Sequence, residues 1–168
     1  MAEVTARTAY LLVTGSRTIR DYDLVANALD QAWTDAVAEG FTRLVIVHGA
    51  AQGADSLAQR WYFKHRARGV EQHRFPADWQ ADCGITCNPT HRRTRSSGGT
   101  YCPTEGNFRN QRMVDHLAEH VATGAVMALV FHADAKPSAG TADCRRRAIK
   151  AGIPVREFQA VPKETARA

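Results

Sequence analysis

No apolar run long enough to cross a membrane occurs in this chain of 168 residues. The longest, Ala125 to Phe131, falls far short of the roughly 20 residues a span needs. Met1 to Thr8 lacks the apolar stretch of a secretory leader, so the chain is expected to be soluble and cytoplasmic, with no membrane partner. Excess charge of one sign is also scarce. Against 22 Lys plus Arg stand 17 Asp plus Glu, a formal net charge of +5, which suits an anionic ligand such as a nucleotide as well as a nucleic acid and does not choose between them. The low apolar content of a disordered chain is missing too: 44% of the residues are apolar, and about 150 residues suffice to bury roughly 68–70% of the unfolded surface. The simplest organisation is one domain over residues 1–168, without internal repeats, ending in a frayed tail from Pro162 to Ala168.

Three near-continuous apolar runs have strand length: Tyr10 to Val13, Leu44 to Val47 and Ala125 to Phe131. Runs without polar alternation predict strands covered on both faces. Val70 to Phe75 and Val155 to Phe158 alternate with polar residues and read as edge strands. Between them, Val25, Leu29, Trp33 and Val37 mark a helix capped by Asp21 or Asp23 and stopped at Gly40; Leu57, Trp61, Tyr62 and His65 mark a second, closed by Gly69. Met113, Leu117 and Val121 mark a third, capped by Asn107 and closed near Gly124; Thr141 to Ala151 forms a fourth, stopped by Gly152 and Pro154. This alternation predicts an α/β fold, a Rossmann-like, doubly wound parallel sheet of five strands in the order 3-2-1-4-5, with an insert after strand three. Ligands in such sheets bind at the carboxyl ends of the strands where the order reverses.

Three loops reach that edge. Gly15, Ser16 and Arg17 end strand one, offering a tight turn, a hydroxyl and a phosphate-pairing guanidinium. His48 to Asp55 ends strand two, with His48, Gly49 and Gly53 amid small residues that let backbone amides face an anion at a helix start. Asp55 is read first as the N-cap of a helix beginning at Ser56; the alternative has it bond a ribose hydroxyl or act on water. Ser138, Gly140 and Thr141 open the last helix, as a phosphate turn or a plain cap. Arg109 and Asn110 lie in the first turn of helix three, where an Arg usually faces solvent unless a bound anion draws it. His132 and Arg145 to Arg147 read as structural, and Cys144 as a small core residue. Ordinary turns have no reason to favour one edge, so three such loops together predict a pocket for a phosphorylated ligand.

Pro76 to Glu105 is weakly periodic and holds three of the four cysteines. Loops of that length need something to order them. Cys83, Cys87, His91 and Cys102 supply three thiolates and an imidazole, a set and spacing suited to a closed, structural zinc site. A disulfide is disfavoured in a cytoplasmic chain. His91 to Arg95 makes this stretch basic, but aromatic residues beyond Trp79 and Tyr101 are few, so it reads as solvated surface and only secondarily as a nucleic-acid contact.

Taken in order, Gly-Ser-Arg after strand one, His-Gly-Ala-Ala-Gln-Gly-Ala-Asp after strand two, Pro-Ala-Asp-Trp after strand three, Arg-Asn-Gln-Arg-Met in helix three and Ser-x-Gly-Thr before helix four resemble the SLOG superfamily. Within it, the chain is most similar to the YspA/YpsA-related branch of bacteria and their phages, over about Tyr10 to Phe158. The resemblance implies a Rossmann-like fold binding nucleotides or nucleotide-derived ligands through Gly15, Ser16, Arg17, Gly49, Gly53, Asp55, Arg109, Asn110, Ser138, Gly140 and Thr141, and dimerisation through helix packing. Relatives include the Lonely Guy phosphoribohydrolases and a DNA-processing protein that binds single strands. The hydrolases carry Gly-Gly-x-Gly-Thr-x-x-Glu; here Cys144 stands at the position of the Glu, and Asp143, one place early, points about 100° away. The expected function is therefore binding or sensing of a nucleotide-like small molecule. An N-glycosidase acting on nucleoside monophosphates or NAD-like ligands through Asp55 or Asp143 comes second, and a DNA-binding module third.

Overall fold

The computed structural model describes residues 6–88 and 90–161; the expected tail from Pro162 onward lies outside the described residues. The elements are β1 (Thr8–Gly15), α1 (Tyr22–Ala38), β2 (Arg43–His48), α2 (Ala54–His65), β3 (Val70–Arg74), the short strands β4 (Arg93–Thr94) and β5 (Thr100–Tyr101), α3 (Glu105–Ala118), β6 (Val126–His132), α4 (Ala139–Lys150) and β7 (Val155–Gln159). Five strands form one parallel sheet in the order β3-β2-β1-β6-β7. Counted over every strand the order is thus 3-2-1-6-7, not 3-2-1-4-5. The difference is the antiparallel β4–β5 hairpin inside the insert, whose two-residue strands are too short to leave a periodic signal.

The central strands are apolar throughout because both of their faces are covered. Ala9, Leu11 and Val13 of β1, with Leu44, Ile46, Leu129 and Phe131, pack against Val25, Leu29 and Trp61 of α1 and α2. Leu12, Val45, Val47 and Ala128 point the other way, onto Met113, Leu117, Cys144 and Ala148 of α3 and α4. Trp61 is fully buried, and its indole N–H donates to Asp30 Oδ1 at 2.9 Å, which removes the penalty of burying that group. The edge strands bury little beyond Val70, matching their polar alternation.

Local chemistry sets the helix ends. Asp21 caps α1 through Leu24 N–H, and Gly40 leaves it with a left-handed turn (φ +87°). Two expected caps are corrected. α2 starts at Ala54 after Gly53, so Asp55 lies inside its first turn, where its carboxylate is engaged by loop amides. α3 starts at Glu105, so Asn107 is inside it; Thr104, at the boundary, has its hydroxyl within 3.1 Å of Cys102 Sγ and does not cap. α3 also stops at Ala118, and Val121 belongs to a separate 3-10 turn, Val121–Thr123, before Gly124.

Candidate functional site

At the switch point between β1 and β6 lies a cavity of about 300 Å³, lined by Gly15, Ser16 and Arg17 from the first loop, Asp55 from α2, Arg109 and Asn110 from α3, and Ser138, Gly140 and Thr141 from the start of α4. A second cavity of about 450 Å³ shares Arg17, Ala51 and Arg109 with it and extends over Gly49 to Gln52, Pro76, Ala77 and Trp79. The loops are packed backbone on backbone. A Cβ on Gly53, whose φ is +80°, would meet the Ser16 carbonyl oxygen at 2.2 Å, and one on Gly49 would meet the Arg109 guanidinium at 1.9 Å. Glycine is thus required at Gly53, by conformation and by backbone approach, whereas a side chain at Gly49 would push the Arg109 guanidinium from its place.

Two guanidinium groups gather here, and Asp55, the carboxylate on the same wall, is engaged by loop amides rather than by an ion pair with either. Arg109 donates to Gly49 O at 2.6 Å and to Asn110 Oδ1 at 3.0 Å, and neither it nor Arg17 forms an ion pair among the described residues. Burial pulls the Arg109 pKa down from its ordinary value, which still leaves a guanidinium charged. First-turn amides add to the field, since they have no intrahelical partners. α2 begins with no side-chain cap, and at α4 Ser138 Oγ accepts from one first-turn amide, Thr141 N–H, and shares a hydrogen bond with the Thr141 hydroxyl. The arrangement is built to hold an anion.

Asp55 is 5% exposed, and its Oδ2 accepts from Gly49 N–H at 2.9 Å and Ala51 N–H at 3.2 Å. Burial holds this carboxyl above the usual carboxylate range, against the pull of His48, the two amides and Arg109. It is neither the cap expected of it nor simply a free ligand group, because it shapes the loop while lining the cavity. His48 lies outside both cavity walls. Fully buried, it accepts Ala50 N–H at Nδ1 and faces Gln72 Oε1 through Nε2 at 3.1 Å, a pattern that assigns the neutral Nε2–H tautomer and agrees with the downward shift that burial imposes.

Asp143 does not line the cavity. Its oxygens take Arg146 (2.5 Å), Arg147 (2.8 Å) and Asn110 (3.1 Å), and although burial opposes it, these donors hold the carboxyl below its ordinary value. Asn110 also donates to Gly140 O at 3.2 Å, so it clamps α3 to α4 beside the cavity it lines. Cys144 is fully buried, and burial pushes its thiol up to about 12. The neighbouring position thus carries no acid or base active near neutral pH. In keeping with the reading from sequence, Arg147 is a structural partner of Asp143, and His132 pairs with Glu157 of β7 at 2.7 Å.

The insert brings Cys83, Cys87, His91 and Cys102 together, their donor atoms all within 4.8 Å of one another. Cys87 and Cys102 sulfurs are 3.9 Å apart, Cys102 Sγ is 3.5 Å from His91 Nε2, and the thiols are not disulfide-bonded. This Cys3His group can hold a metal ion. Of its basic neighbours Arg93 is exposed, as a solvated surface predicts, but Arg92 is not simply solvated. Arg92 braces the insert by donating to Ala81 O, Thr100 O and Thr100 Oγ1, and reaches Cys83 Sγ at 3.6 Å. Trp79, which the sequence reading left out of the site, meets Tyr101 edge-on with ring centroids 6.1 Å apart and lies beside the Arg17 guanidinium. The Pro-Ala-Asp-Trp motif was the available signal for it.

A Rossmann-like sheet with small-residue loops at its carboxyl edge defines the class of protein. Residues 10–81 match the model of the YspA, cpYpsA-related SLOG family. Over 152 residues the chain is 34% identical to the Gene 61 protein of Mycobacterium phage D29, a match covering 88% of this chain and 94% of the relative. The chain belongs to the YspA, cpYpsA-related SLOG family. Among the described residues no helix is long and apolar enough to cross a membrane.

Proposed function

We propose that this protein binds a nucleotide or nucleotide-derived small molecule at the carboxyl edge of the sheet, with zinc as a structural ion in the insert. The observation that carries the reading is the meeting of the β1, β2 and β6 loops around one cavity with two guanidinium groups that form no ion pair among the described residues, the Asp55 carboxyl on its wall being held by loop amides. An anionic phosphate fits beside Arg17, Arg109, Ser138 and the α4 amides, while Pro76, Ala77 and Trp79 offer apolar surface to a planar base. Zinc suits the Cys3His donors: tetrahedral bonds of about 2.3 Å to sulfur and 2.0–2.1 Å to nitrogen give edges of about 3.8 Å between sulfurs and 3.5 Å from sulfur to nitrogen. The Cys87–Cys102 and Cys102–His91 separations of 3.9 and 3.5 Å lie close to these, and the Cys83–His91 pair, at 2.9 Å, has to open slightly. Four protein ligands close the shell, so the ion holds the insert and takes no part in chemistry.

The test is calorimetric titration of the zinc-containing protein with the nucleoside monophosphates. Binding that is lost in Arg109→Ala supports the reading; no heat with any of them overturns it. Asp55 favours a second reading, an N-glycosidase, because a buried carboxyl with a raised pKa on a cavity wall is suited to proton transfer. Chromatography for released base separates the two: base formed by wild type and lost in Asp55→Asn selects the hydrolase. Asp143 drops out of that role, its oxygens being committed to Arg146, Arg147 and Asn110. DNA binding ranks behind both, as the aromatic surface is confined to the insert.

A further inference from the structure

Beyond the two cavities of the sheet edge lies a third, of about 520 Å³, on the insert itself. It shares Arg17 and Trp79 with its neighbour and is otherwise built from the β4–β5 hairpin: Thr94, Arg95, Ser96, Ser97 and Tyr101. The composition of the first two cavities is repeated here. Arg95 lies over the Tyr101 ring at 5.3 Å and forms no ion pair among the described residues, and three hydroxyl side chains stand next to it. An unanswered guanidinium with hydroxyl donors suits a phosphate or ribose, and an aromatic pair suits a base. Trp79 stands between the two halves, lining both cavities, and is itself seated on α3, where its ring comes within 3.1 Å of a Cβ built on Gly106. The third cavity lies beyond the sheet-edge pair, so a nucleoside monophosphate seated at the sheet edge leaves it empty.

We infer that the hairpin is a second half-site, and that the ligand is a dinucleotide: two nucleoside units joined through phosphate, one at the sheet edge and the other between Trp79 and the Arg95–Tyr101 pair. This rests on the nucleotide reading above and narrows it. Arg17, which lines all three cavities, is placed for the linking phosphates. The insert in this account is part of the recognition surface, and the metal site serves binding by fixing the hairpin's position. A small molecule is favoured over a single-stranded nucleic acid because the aromatic residues are two, both at one place, and do not continue along a track.

The experiment is calorimetry on the zinc-containing full chain with each of the four nucleoside monophosphates and the matching symmetric dinucleoside diphosphates, for wild type, Arg95→Ala and Ser97→Trp. The first variant removes the distal charge and the second fills the distal cavity, and both are checked for unchanged melting temperature and zinc content. The expected result is a dinucleotide bound at least about tenfold more tightly than its monophosphate by wild type, a difference of about 1.4 kcal/mol, with the ratio falling towards one in both variants. A ratio of one in wild type, or a ratio preserved in both variants, overturns the second half-site while leaving the nucleotide reading intact. Failure of every mono- and dinucleotide to bind overturns both. Tighter binding of a single-stranded hexanucleotide, with a steep loss of affinity in salt, replaces the dinucleotide by a nucleic acid.

Discussion

The sheet with its four helices and the stretch from Pro76 to Thr104 are ordered by different forces. In the first, alternate residues of β1, β2 and β6 are buried on opposite faces, and apolar contact fixes each strand from both sides. In the second, Cys102 is the one residue of the buried apolar core among the described residues, and Ile85 is fully exposed. What holds the insert is a set of four donor atoms and the hydrogen bonds of Arg92, with Glu105 accepting Asp78 N–H and pairing with Arg112 at its ends. A region can thus be well positioned without a core of its own, provided that something supplies the missing free energy; structural zinc contributes about 10–16 kcal/mol in small zinc-dependent peptides.

If the insert holds the proposed zinc, the comparison is broken most directly by removing it. Chelation, or Cys102→Ser, is expected to raise amide hydrogen exchange through residues 80–103 to near the unprotected rate while β1, β2 and β6 stay protected. Equal exchange with and without metal would show that hydrogen bonds alone order the insert. The mirror experiment is Leu129→Ala in the fully buried centre of β6, expected to cost about 2–5 kcal/mol in urea unfolding with zinc content unchanged. A smaller and more local effect is expected of Arg92→Ala, which removes the N–H donor near Cys83 Sγ and the brace to Thr100. A competition titration should show zinc affinity lower by about 10–100-fold, with little change in the melting of the sheet.

The smallest effect concerns pH. Burial raises Asp55, so its ionised form is disfavoured in the folded state; the stability it lends is complete below its unfolded pKa and is lost as pH rises through the folded one. Asp143 and Glu157 have the opposite sign, hydrogen-bonded below their ordinary values and losing their contribution as pH falls. Relative to wild type, Asp55→Asn should therefore gain stability as pH rises above the ordinary carboxylate range. Urea midpoints measured at several pH values check this, and a difference independent of pH would place Asp55 among unshifted carboxylates.

The same contrast decides what was legible in the sequence. Strands buried on both faces leave long apolar runs, so β1, β2 and β6 and their parallel order could be read directly, as could the three loops at their carboxyl ends. Asp21 and Ser138 were recognisable as caps because their side chains act on the adjacent turn. Asp55 and Asn107 were misplaced as caps for a common reason: residue type alone does not show that Asp55 is held by Gly49 and Ala51, or that Thr104 turns towards the thiols. Asp143 looked chemically available because its partners Arg146, Arg147 and Asn110 converge only in three dimensions. The Cys3His set was visible from spacing, whereas Trp79, Arg95 and Tyr101 have no periodicity and meet only once the hairpin has closed.

The contact between Gly53 and the Ser16 carbonyl has a consequence for how this site can vary. Two loops that touch backbone to backbone cannot change length independently, since an added residue in either would drive the chains apart. β3 is different: it is an edge strand with β2 on one flank and, among the described residues, no sheet neighbour on the other, so chain added after it grows outward without repacking the sheet. The centre of the site is therefore a mould of fixed dimensions, and the choice of what fits is exercised at its rim, where a lineage can lengthen, shorten or re-staple one peripheral segment and leave the sheet untouched.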